Sequence, residues 1–184
     1  MTKDILISDF TDPCFMNAFK LYFKEWDMQI KDWDGLFREM NESGENRAWL
    51  RMDADGQVIG FIQFTPLTMS SWFFEEKWGF IREFWVKKSF RRHGHGAALL
   101  ALAEQYFRDL GIQKLVLPTD TAPDYYRARG YEKDDAITAR NNDDVFVTRI
   151  PKHHHPAPIG AGCNSYSTLG SFSNATCSSS SVGT

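Results

Sequence analysis

Several features that mark specialised classes of protein are scarce or missing in this sequence. Only three cysteines occur among 184 residues, and two of them, Cys163 and Cys177, lie near the C-terminus. Neither a disulfide framework nor a cysteine metal cluster is therefore expected. The sequence contains no run of about 18 apolar residues, the length needed to span a membrane, and residues 1–6 lack the apolar core of a signal peptide. We expect a soluble, cytoplasmic protein with no membrane partner.

An excess of basic charge is also lacking. The formal net charge is -3, whereas proteins that bind nucleic acid over a broad surface are usually basic. The exception is local, because Lys87, Lys88, Arg91 and Arg92 lie close together in the sequence. We therefore expect no nucleic-acid partner, and a site for a small anion instead.

The composition fits one globular domain. Hydrophobic residues make up 42% of the sequence and aromatic residues 15%, enough for a single well-filled core. After Ile150 the sequence becomes rich in Ser, Gly and Pro. Such a segment buries too little apolar surface to offset the entropy lost on ordering. We predict a domain over residues 1–150 and a disordered tail over residues 151–184, for which a cloning remnant is one interpretation.

Two helices are predicted near the N-terminus. The first begins at Pro13 with Asp12 as its N-cap, and aromatic residues recur at helical spacing as far as Trp26. We interpret this aromatic stripe as core rather than as the lining of a substrate cleft. The second helix covers residues 33–40 and ends near Gly44.

The remaining pattern predicts a mixed sheet. Strands are expected at residues 5–7, 46–52, 57–64, 80–86, 114–117, 131–137 and 145–150. A helix from Gly96 to Gly111, with Leu99, Leu110 and other apolar residues on one face, connects strands 80–86 and 114–117 as a parallel pair. A brief helix covers residues 123–129, and the aromatic segment 66–77 is expected to pack over a pocket or form a lid. The fold class is α/β, a mixed sheet of about six to seven strands with about four helices.

The stretch from Phe84 to Leu100 has the build of an anion site. An apolar strand runs into a basic turn with two glycines, and a helix follows, whose start offers unpaired N–H groups to a phosphate. A Walker loop is absent, and a dinucleotide fingerprint fails because Leu99 stands where its third glycine should be. The sequence Arg91-Arg92-His93-Gly94-His95-Gly96 fits a third pattern, Arg/Gln-x-x-Gly-x-Gly/Ala.

With this loop the chain resembles the GNAT superfamily of N-acetyltransferases. A second segment, Ala122-Pro123-Asp124-Tyr125-Tyr126-Arg127-Ala128-Arg129-Gly130-Tyr131, looks like the family's Ala-x-x-x-Tyr-x-x-x-Gly-Phe/Tyr. The order of elements from residue 5 to about residue 150 also agrees with the family. The resemblance implies the GNAT fold and transfer of the acetyl group of acetyl-coenzyme A to a primary amine, by direct attack in a ternary complex.

The resemblance also implies roles for particular positions. The residues expected to bind the cofactor in the loop are Arg91, Arg92, His93, Gly94, His95, Gly96 and Ala97. The end of strand 80–86 would splay from strand 114–117 and bind the pantetheine arm. The cofactor-binding residues expected there are Phe84, Trp85 and Val86. Thr119 stands at a cofactor-loop position where many family members have Asn. Tyr126 aligns with the tyrosine that protonates the departing thiolate, and the adjacent Tyr125 is the alternative.

The reaction needs an uncharged amine, because an ammonium has no lone pair, and a carboxylate commonly removes the proton. Glu83 is the candidate base, since it lies three residues before Val86 on the central strand, and Trp85 would share its face. Glu75 and Glu76 are rivals, and a surface salt bridge is the alternative interpretation for all three.

The acceptor and the assembly stay open. Acidic, aromatic-rich surroundings suit a cationic small molecule such as a polyamine or an aminoglycoside, and a peptide amine is the other acceptor class. His93 and His95 form an H-x-H pair, but we expect no metal because no further ligands lie nearby in the sequence. A non-catalytic acyl-coenzyme A sensor is the alternative function. A homodimer is a state to consider, because dimers are common in families of this kind.

Overall fold

The computed structural model describes residues 1–151, so the prediction of a disordered tail lies outside the described residues. The strands are β1 (Lys3–Ile7), β2 (Arg47–Met52), β3 (Val58–Ser70), β4 (Glu75–Val86), β5 (Lys114–Thr119), β6 (Glu132–Lys133) and β7 (Asp144–Arg149). The α-helices of this part of the chain are α1 (Pro13–Glu25), α2 (Trp33–Glu42), α3 (His95–Asp109) and α4 (Pro123–Arg127). A short 3-10 helix covers Lys88–Phe90. The predicted α/β fold is confirmed.

The seven strands of the described part lie in one mixed sheet in the order β1-β2-β3-β4-β5-β7-β6. Neighbouring strands are antiparallel except for β4 and β5, which are parallel. Parallel neighbours need a crossover connection, and α3 supplies it. The predicted strand-helix-strand unit is confirmed, and it places the start of α3 directly after the end of β4.

Helix α1 begins where the sequence predicts. The side chain of Asp12 accepts hydrogen bonds from the backbone N–H groups of Cys14 (2.8 Å) and Phe15 (3.1 Å), and Pro13 occupies the first turn. These bonds satisfy donors that the first turn of a helix leaves without intrahelical partners. The N-cap and the proline together fix where the aromatic face of α1 starts.

Two residues predicted to face the core are about half exposed, Trp26 at 49% and Leu110 at 51%. They are the C-cap residues of α1 and α3, respectively. Helical periodicity defines a face only as far as the helical backbone continues. The prediction of burial was therefore wrong at these two helix ends.

Each face of the sheet carries its own core. The core beneath α1 and α2 is rich in aromatic residues and includes Phe10, Phe15, Phe19, Phe37, Phe61 and Trp85. The core beneath α3 and α4 includes Phe64, Leu99, Phe107, Leu117, Tyr126, Tyr131 and Phe146. Because successive residues of a strand point to opposite faces, Phe84 and Trp85 contribute to different cores.

The aromatic segment at 66–77 is a hairpin rather than a lid. Strands β3 and β4 pair as far as Ser70 and Glu75, and the turn between them exposes Trp72 (100%), Phe73 (96%) and Phe74 (61%). Phe74 lies nine residues before Glu83 along an extended strand, a separation of about 30 Å. The expectation of a lid or pocket cover was wrong, because the backbone pairing of β3 with β4 continues up to the turn and leaves the three aromatic side chains exposed.

The predicted strand at 131–137 is also shorter than expected, and only β6 forms there. Asp134 ends the pairing, because its carboxylate accepts from the N–H of Ala136 (3.0 Å) and its carbonyl accepts from the N–H of Ile137 (3.3 Å). An aspartate that bonds the backbone two residues on favours a turn over an extended strand. Tyr131, just before β6, is buried at 1% exposure.

Candidate active site

The sheet opens between β4 and β5. The two strands pair only at Trp78 with Lys114, Gly79 with Leu115, and Phe80 with Val116. β4 continues to Val86 without this partner, while β5 continues along β7 as far as Thr119. The backbone edge of β4 that faces β5 therefore has no strand partner beyond Phe80 among residues 1–151. The predicted splay of these strands is present.

A bulge in β4 lies at the start of this opening. Gln63 pairs with Glu83, but Phe64 pairs with Ile81, so Arg82 is an extra residue on β4. An extra residue bends its strand and increases its local twist. The bulge thus helps to turn the end of β4 away from β5, and it sets Glu83 beside the opening.

The loop that follows β4 leaves the start of α3 uncapped. Gly94, the N-cap residue, has a φ of 82° and Arg92 has a φ of 65°, both in the left-handed region, and no side chain caps the helix. Ala98 is the residue whose N–H donates to the carbonyl of Gly94 in the first turn. Backbone N–H groups at such a start, together with the helix dipole, suit a phosphate group. The geometry fits the predicted pyrophosphate loop.

Arg91 holds the loop in place from within the protein. Its Nε donates to the carbonyl oxygen of Val86 (2.8 Å), and its guanidinium forms an ion pair with Glu25 at the end of α1. The same carboxylate accepts from Nε1 of Trp85 (3.2 Å) and from the N–H of Lys88 (3.4 Å). Glu25 therefore joins α1, the end of β4 and the loop, a role that the sequence did not indicate because the partners are about 60 or more residues apart.

The three residues predicted at the strand end divide between the two faces. Phe84 and Val86 pack on the α3 and α4 side, and the ring of Phe84 meets that of Tyr125 edge to face, with centroids 6.0 Å apart. Trp85 is 3% exposed on the other side, where its ring packs against Tyr22 and Phe61. Trp85 shares the face of Glu83, as strand alternation predicts.

The adjacent tyrosines of α4 have different surroundings. The hydroxyl of Tyr125 is covered and has no hydrogen-bond partner in the described chain, and a Cβ placed on Gly96 would lie 3.2 Å from it. Tyr126 is 5% exposed, and its ring packs against Tyr131 and Phe146. Burial raises the pKa of both phenols. Tyr125 therefore supports the loop from below, and both phenols stay protonated near neutral pH.

Glu83 has an environment that favours a proton acceptor. Its Oε2 accepts a hydrogen bond of 2.8 Å from the hydroxyl of Tyr22 on α1. Burial raises the pKa of the Glu83 carboxyl, and the Tyr22 hydrogen bond and the charge of Arg82 oppose that rise. Burial and the nearby charges of Glu83 and Asp120 raise the pKa of Tyr22. Tyr22 was predicted only as a core aromatic, and helical spacing gave no sign of its polar contact.

Gln63 is a polar residue of this region that the sequence did not single out. It is fully buried at 0% exposure, and neither Nε2 nor Oε1 of its amide has a partner among the described residues. Its cross-strand neighbours are Ala48 on β2 and Glu83 on β4. The rival bases Glu75 and Glu76 lie instead on the projecting hairpin, more than about 20 Å along β4 from Glu83.

The other predicted positions have structural roles or solvent exposure. Thr119 is 8% exposed, and its hydroxyl accepts from the N–H of Ala122 (3.2 Å) at the start of α4. The ring centroids of His93 and His95 are 6.5 Å apart, and residues 1–151 contain no group of His, Cys, Asp or Glu that could hold a metal ion. None of the helices in this range is long and apolar enough to cross a membrane.

Comparisons with known proteins agree with this geometry. The model of the acetyltransferase (GNAT) family matches residues 7–133. No curated protein matches the chain in sequence. A GNAT-family acetyltransferase from Staphylococcus aureus Mu50 has 14% identity and a TM-score of 0.62, and the match covers 81% of this chain and 99% of that one.

Two further solved structures share the fold. An aminoglycoside acetyltransferase from an uncultured soil metagenomic sample, in complex with trehalose, has 15% identity and a TM-score of 0.60 over 75% of this chain and 93% of that one. The NatC complex bound to Gag peptide and CoA contains a chain with 14% identity and a TM-score of 0.60 over 82% of this chain and 99% of that one. Identities this low show the fold alone.

Proposed function

The chain belongs to the GNAT family and is an acetyl-coenzyme A-dependent acetyltransferase, and from this premise we propose that residues 1–150 transfer the acetyl group to a primary amine by direct attack in a ternary complex. The observation that carries the proposal is the opening between β4 and β5. It has the uncapped start of α3 at one end and the partly buried carboxyl of Glu83 beside it.

The loop holds the phosphates in this proposal. Backbone N–H groups from Arg92 to Ala97 donate to the pyrophosphate, and Lys87 and Lys88 add positive charge beside it. Arg91 acts mainly on the protein side, because its guanidinium is already bonded to Glu25 and Val86. The left-handed backbone at Gly94 is of the kind found in turns whose successive N–H groups bind an anion.

The open edge of β4 positions the acyl end. Backbone groups near Phe84 to Val86 that face β5, other than the Val86 carbonyl that accepts from Arg91, are available to the amides of the pantetheine arm, in the way that one strand adds to another. When bound, acetyl-coenzyme A supplies the thioester carbon that the amine attacks. A backbone N–H at this strand end donates to the thioester oxygen and stabilises the negative charge that develops there.

Two side chains manage the protons. Glu83 accepts the proton of the ammonium, directly or through water, which frees the nitrogen lone pair to form the C–N bond as the C–S bond breaks. Tyr126, which aligns with the family's tyrosine, donates a proton to the departing thiolate, and the second proton that the nitrogen loses as the amide forms returns to the Tyr126 phenolate through solvent. Cys14 is exposed on the first turn of α1 and takes no part. No covalent enzyme intermediate is needed.

The acceptor is proposed to be cationic. Glu83 and Asp120 are acidic groups that both act on Tyr22, so negative charge surrounds the point where the amine arrives. An aminoglycoside acetyltransferase and the NatC complex bound to a peptide share the fold. Small polyamines and aminoglycosides on one side, and peptide amines on the other, are the acceptor classes to compare.

An acetylation screen over these amine classes, read by release of the coenzyme A thiol, tests the proposal. We expect turnover with at least one class, and loss of that turnover in Glu83→Gln. Tight binding of acetyl-coenzyme A without turnover on any amine would instead support the non-catalytic sensor. Weak or absent binding would contradict the assignment of the loop.

A further inference from the structure

The residues around Gln63 give no structural reason for a fully buried amide at this position. On β2 its neighbour is Ala48, which offers only a methyl group, and two residues earlier on the same face of β3 lies Phe61. A buried amide whose donor and acceptor are both unpaired destabilises a folded chain. An apolar side chain of similar length would fill this position at less cost to stability.

The neighbour on the other side is Glu83. Directly opposed residues of antiparallel strands have Cβ atoms about 4.5–5.5 Å apart, so a glutamine and a glutamate in this relation reach each other by a change of rotamer. Tyr22 already donates to Oε2 of Glu83, while Oε1 accepts no hydrogen bond from the described residues. The unpaired N–H donors of Gln63 thus belong to the residue directly opposite Glu83 across the strand pair.

We propose that Gln63 is a positioning residue for Glu83: its amide nitrogen donates to Oε1 of the carboxylate, directly or through one water, when Glu83 is charged. With Tyr22 on Oε2 and Gln63 on Oε1, the carboxylate is fixed in one orientation between α1 and β3. This role rests on the proposed function, in which Glu83 accepts the proton of the acceptor amine.

The other charged and titratable groups around Glu83 do not replace such a donor. Tyr22 from α1 donates to the other oxygen, and Asp120 from beyond β5 adds only negative charge. Arg82 is the positively charged neighbour on β4, but its Nη1 donates to Asn46 (3.2 Å). A second hydrogen bond from Gln63 would favour the charged form of the carboxyl against the effect of burial.

The test is a titration of the Glu83 carboxyl that needs no substrate. Protein with ¹³C-labelled glutamate carboxyls is followed by NMR, and the Glu83 signal is identified by its absence from Glu83→Gln. In Gln63→Met, which keeps the length and removes the donor, we expect the midpoint of Glu83 to rise by about one pH unit. The matched control is Thr65→Val, a nearby buried residue of β3 whose hydroxyl bonds to Pro66, and it should leave the midpoint unchanged.

Activity provides the second readout. In Gln63→Met, the acid limb of the kcat/KM profile should shift to higher pH by the same amount as the carboxyl titration. The KM for acetyl-coenzyme A should stay the same. Gln63→Asn, which keeps an amide but shortens its reach, should give the same shift and serves if the Met variant fails to fold. An unchanged or lowered Glu83 midpoint in both variants overturns the role of Gln63. Turnover that survives in Glu83→Gln overturns the proposed base instead.

Discussion

Two opposing effects set the pKa of the Glu83 carboxyl. Burial raises it and is the larger, whereas the Tyr22 hydrogen bond and the charge of Arg82 lower it. The folded chain therefore binds this proton more tightly than the unfolded chain does. The stability that Glu83 contributes is complete below its unfolded pKa and is lost as the pH rises through its higher folded pKa.

Replacing Glu83 by Gln should lower activity and raise stability. The amide cannot accept the ammonium proton, so kcat at about pH 7 should fall about 10²- to 10⁴-fold. The variant also loses a partly buried charge, so its unfolding temperature should exceed that of the wild type at alkaline pH and match it at acidic pH. Thiol release and thermal unfolding measure the two effects. Wild-type turnover in the variant would remove Glu83 from the chemistry.

Substitutions of the two adjacent tyrosines of α4 should have different effects on kcat in the thiol-release assay. Tyr126→Phe keeps the packed ring but removes the proposed proton donor, so kcat should fall by about 10²-fold. Tyr125→Phe removes a buried hydroxyl that has no partner in residues 1–151, so stability should stay the same or rise, with kcat nearly unchanged. Each variant is the control for the other. The reverse pattern would assign the acid to Tyr125.

Among the elements of the fold, the loop before α3 owes its proposed phosphate-binding role to its backbone conformation more than to its side chains. Gly94 has a left-handed φ of 82°, and nothing lies within 4 Å of a Cβ placed on it. The glycine is therefore required by its dihedral angle and not by lack of space. Gly96 is different, because an added Cβ would only press on the Tyr125 hydroxyl at 3.2 Å.

Gly94→Ala should weaken acetyl-coenzyme A binding measured by calorimetry. The left-handed conformation costs a residue with a Cβ about 1–2 kcal/mol, so the loop would relax and its N–H groups would diverge. Gly56→Ala is the matched control, since Gly56 has a φ of 78° and equally open space in the β2–β3 turn. The control should lose similar stability with no change in affinity. Equal affinity in both variants would contradict the phosphate role of the loop.

The sequence predicted those elements whose causes are local. The cap at Asp12, the helix starts and the glycine loop follow from neighbouring residues, and their motif led to the correct family. The link from Glu25 to Arg91, the contact of Tyr22 with Glu83 and the placement of Gln63 depend on residues brought together only by the folded sheet. The hairpin at 66–77 was mistaken for a lid because its aromatics suggested burial, whereas they lie at an exposed turn.

In the whole molecule, the proposed base Glu83 and the aromatic turn lie far apart. The exposed side chains of Trp72, Phe73 and Phe74 are about 30 Å along β4 from Glu83. Exposed aromatic groups of this size favour association with other apolar surfaces. They cannot close over an acceptor bound near Glu83.

Replacing these three aromatics by Ser should therefore leave kcat and both KM values unchanged and should increase solubility. Steady-state rates and light scattering at rising protein concentration measure the two effects. Arg82→Ser, beside Glu83 on the same strand, is a control that should alter the rate. A loss of acceptor affinity in the triple variant would restore the lid interpretation.

The proposed binding of acetyl-coenzyme A in the opening between β4 and β5 would also link the amount of folded enzyme to the supply of its donor. A ligand that binds only the folded chain stabilises it by mass action, by about 2.7 kcal/mol at a concentration 100-fold above its Kd. Acetyl-coenzyme A that spans the unpaired edge of β4 would act in this way. A well-fed cell would then keep more of this protein folded and protected from proteases than a starved cell, so the supply of acetyl groups would set enzyme abundance as well as turnover.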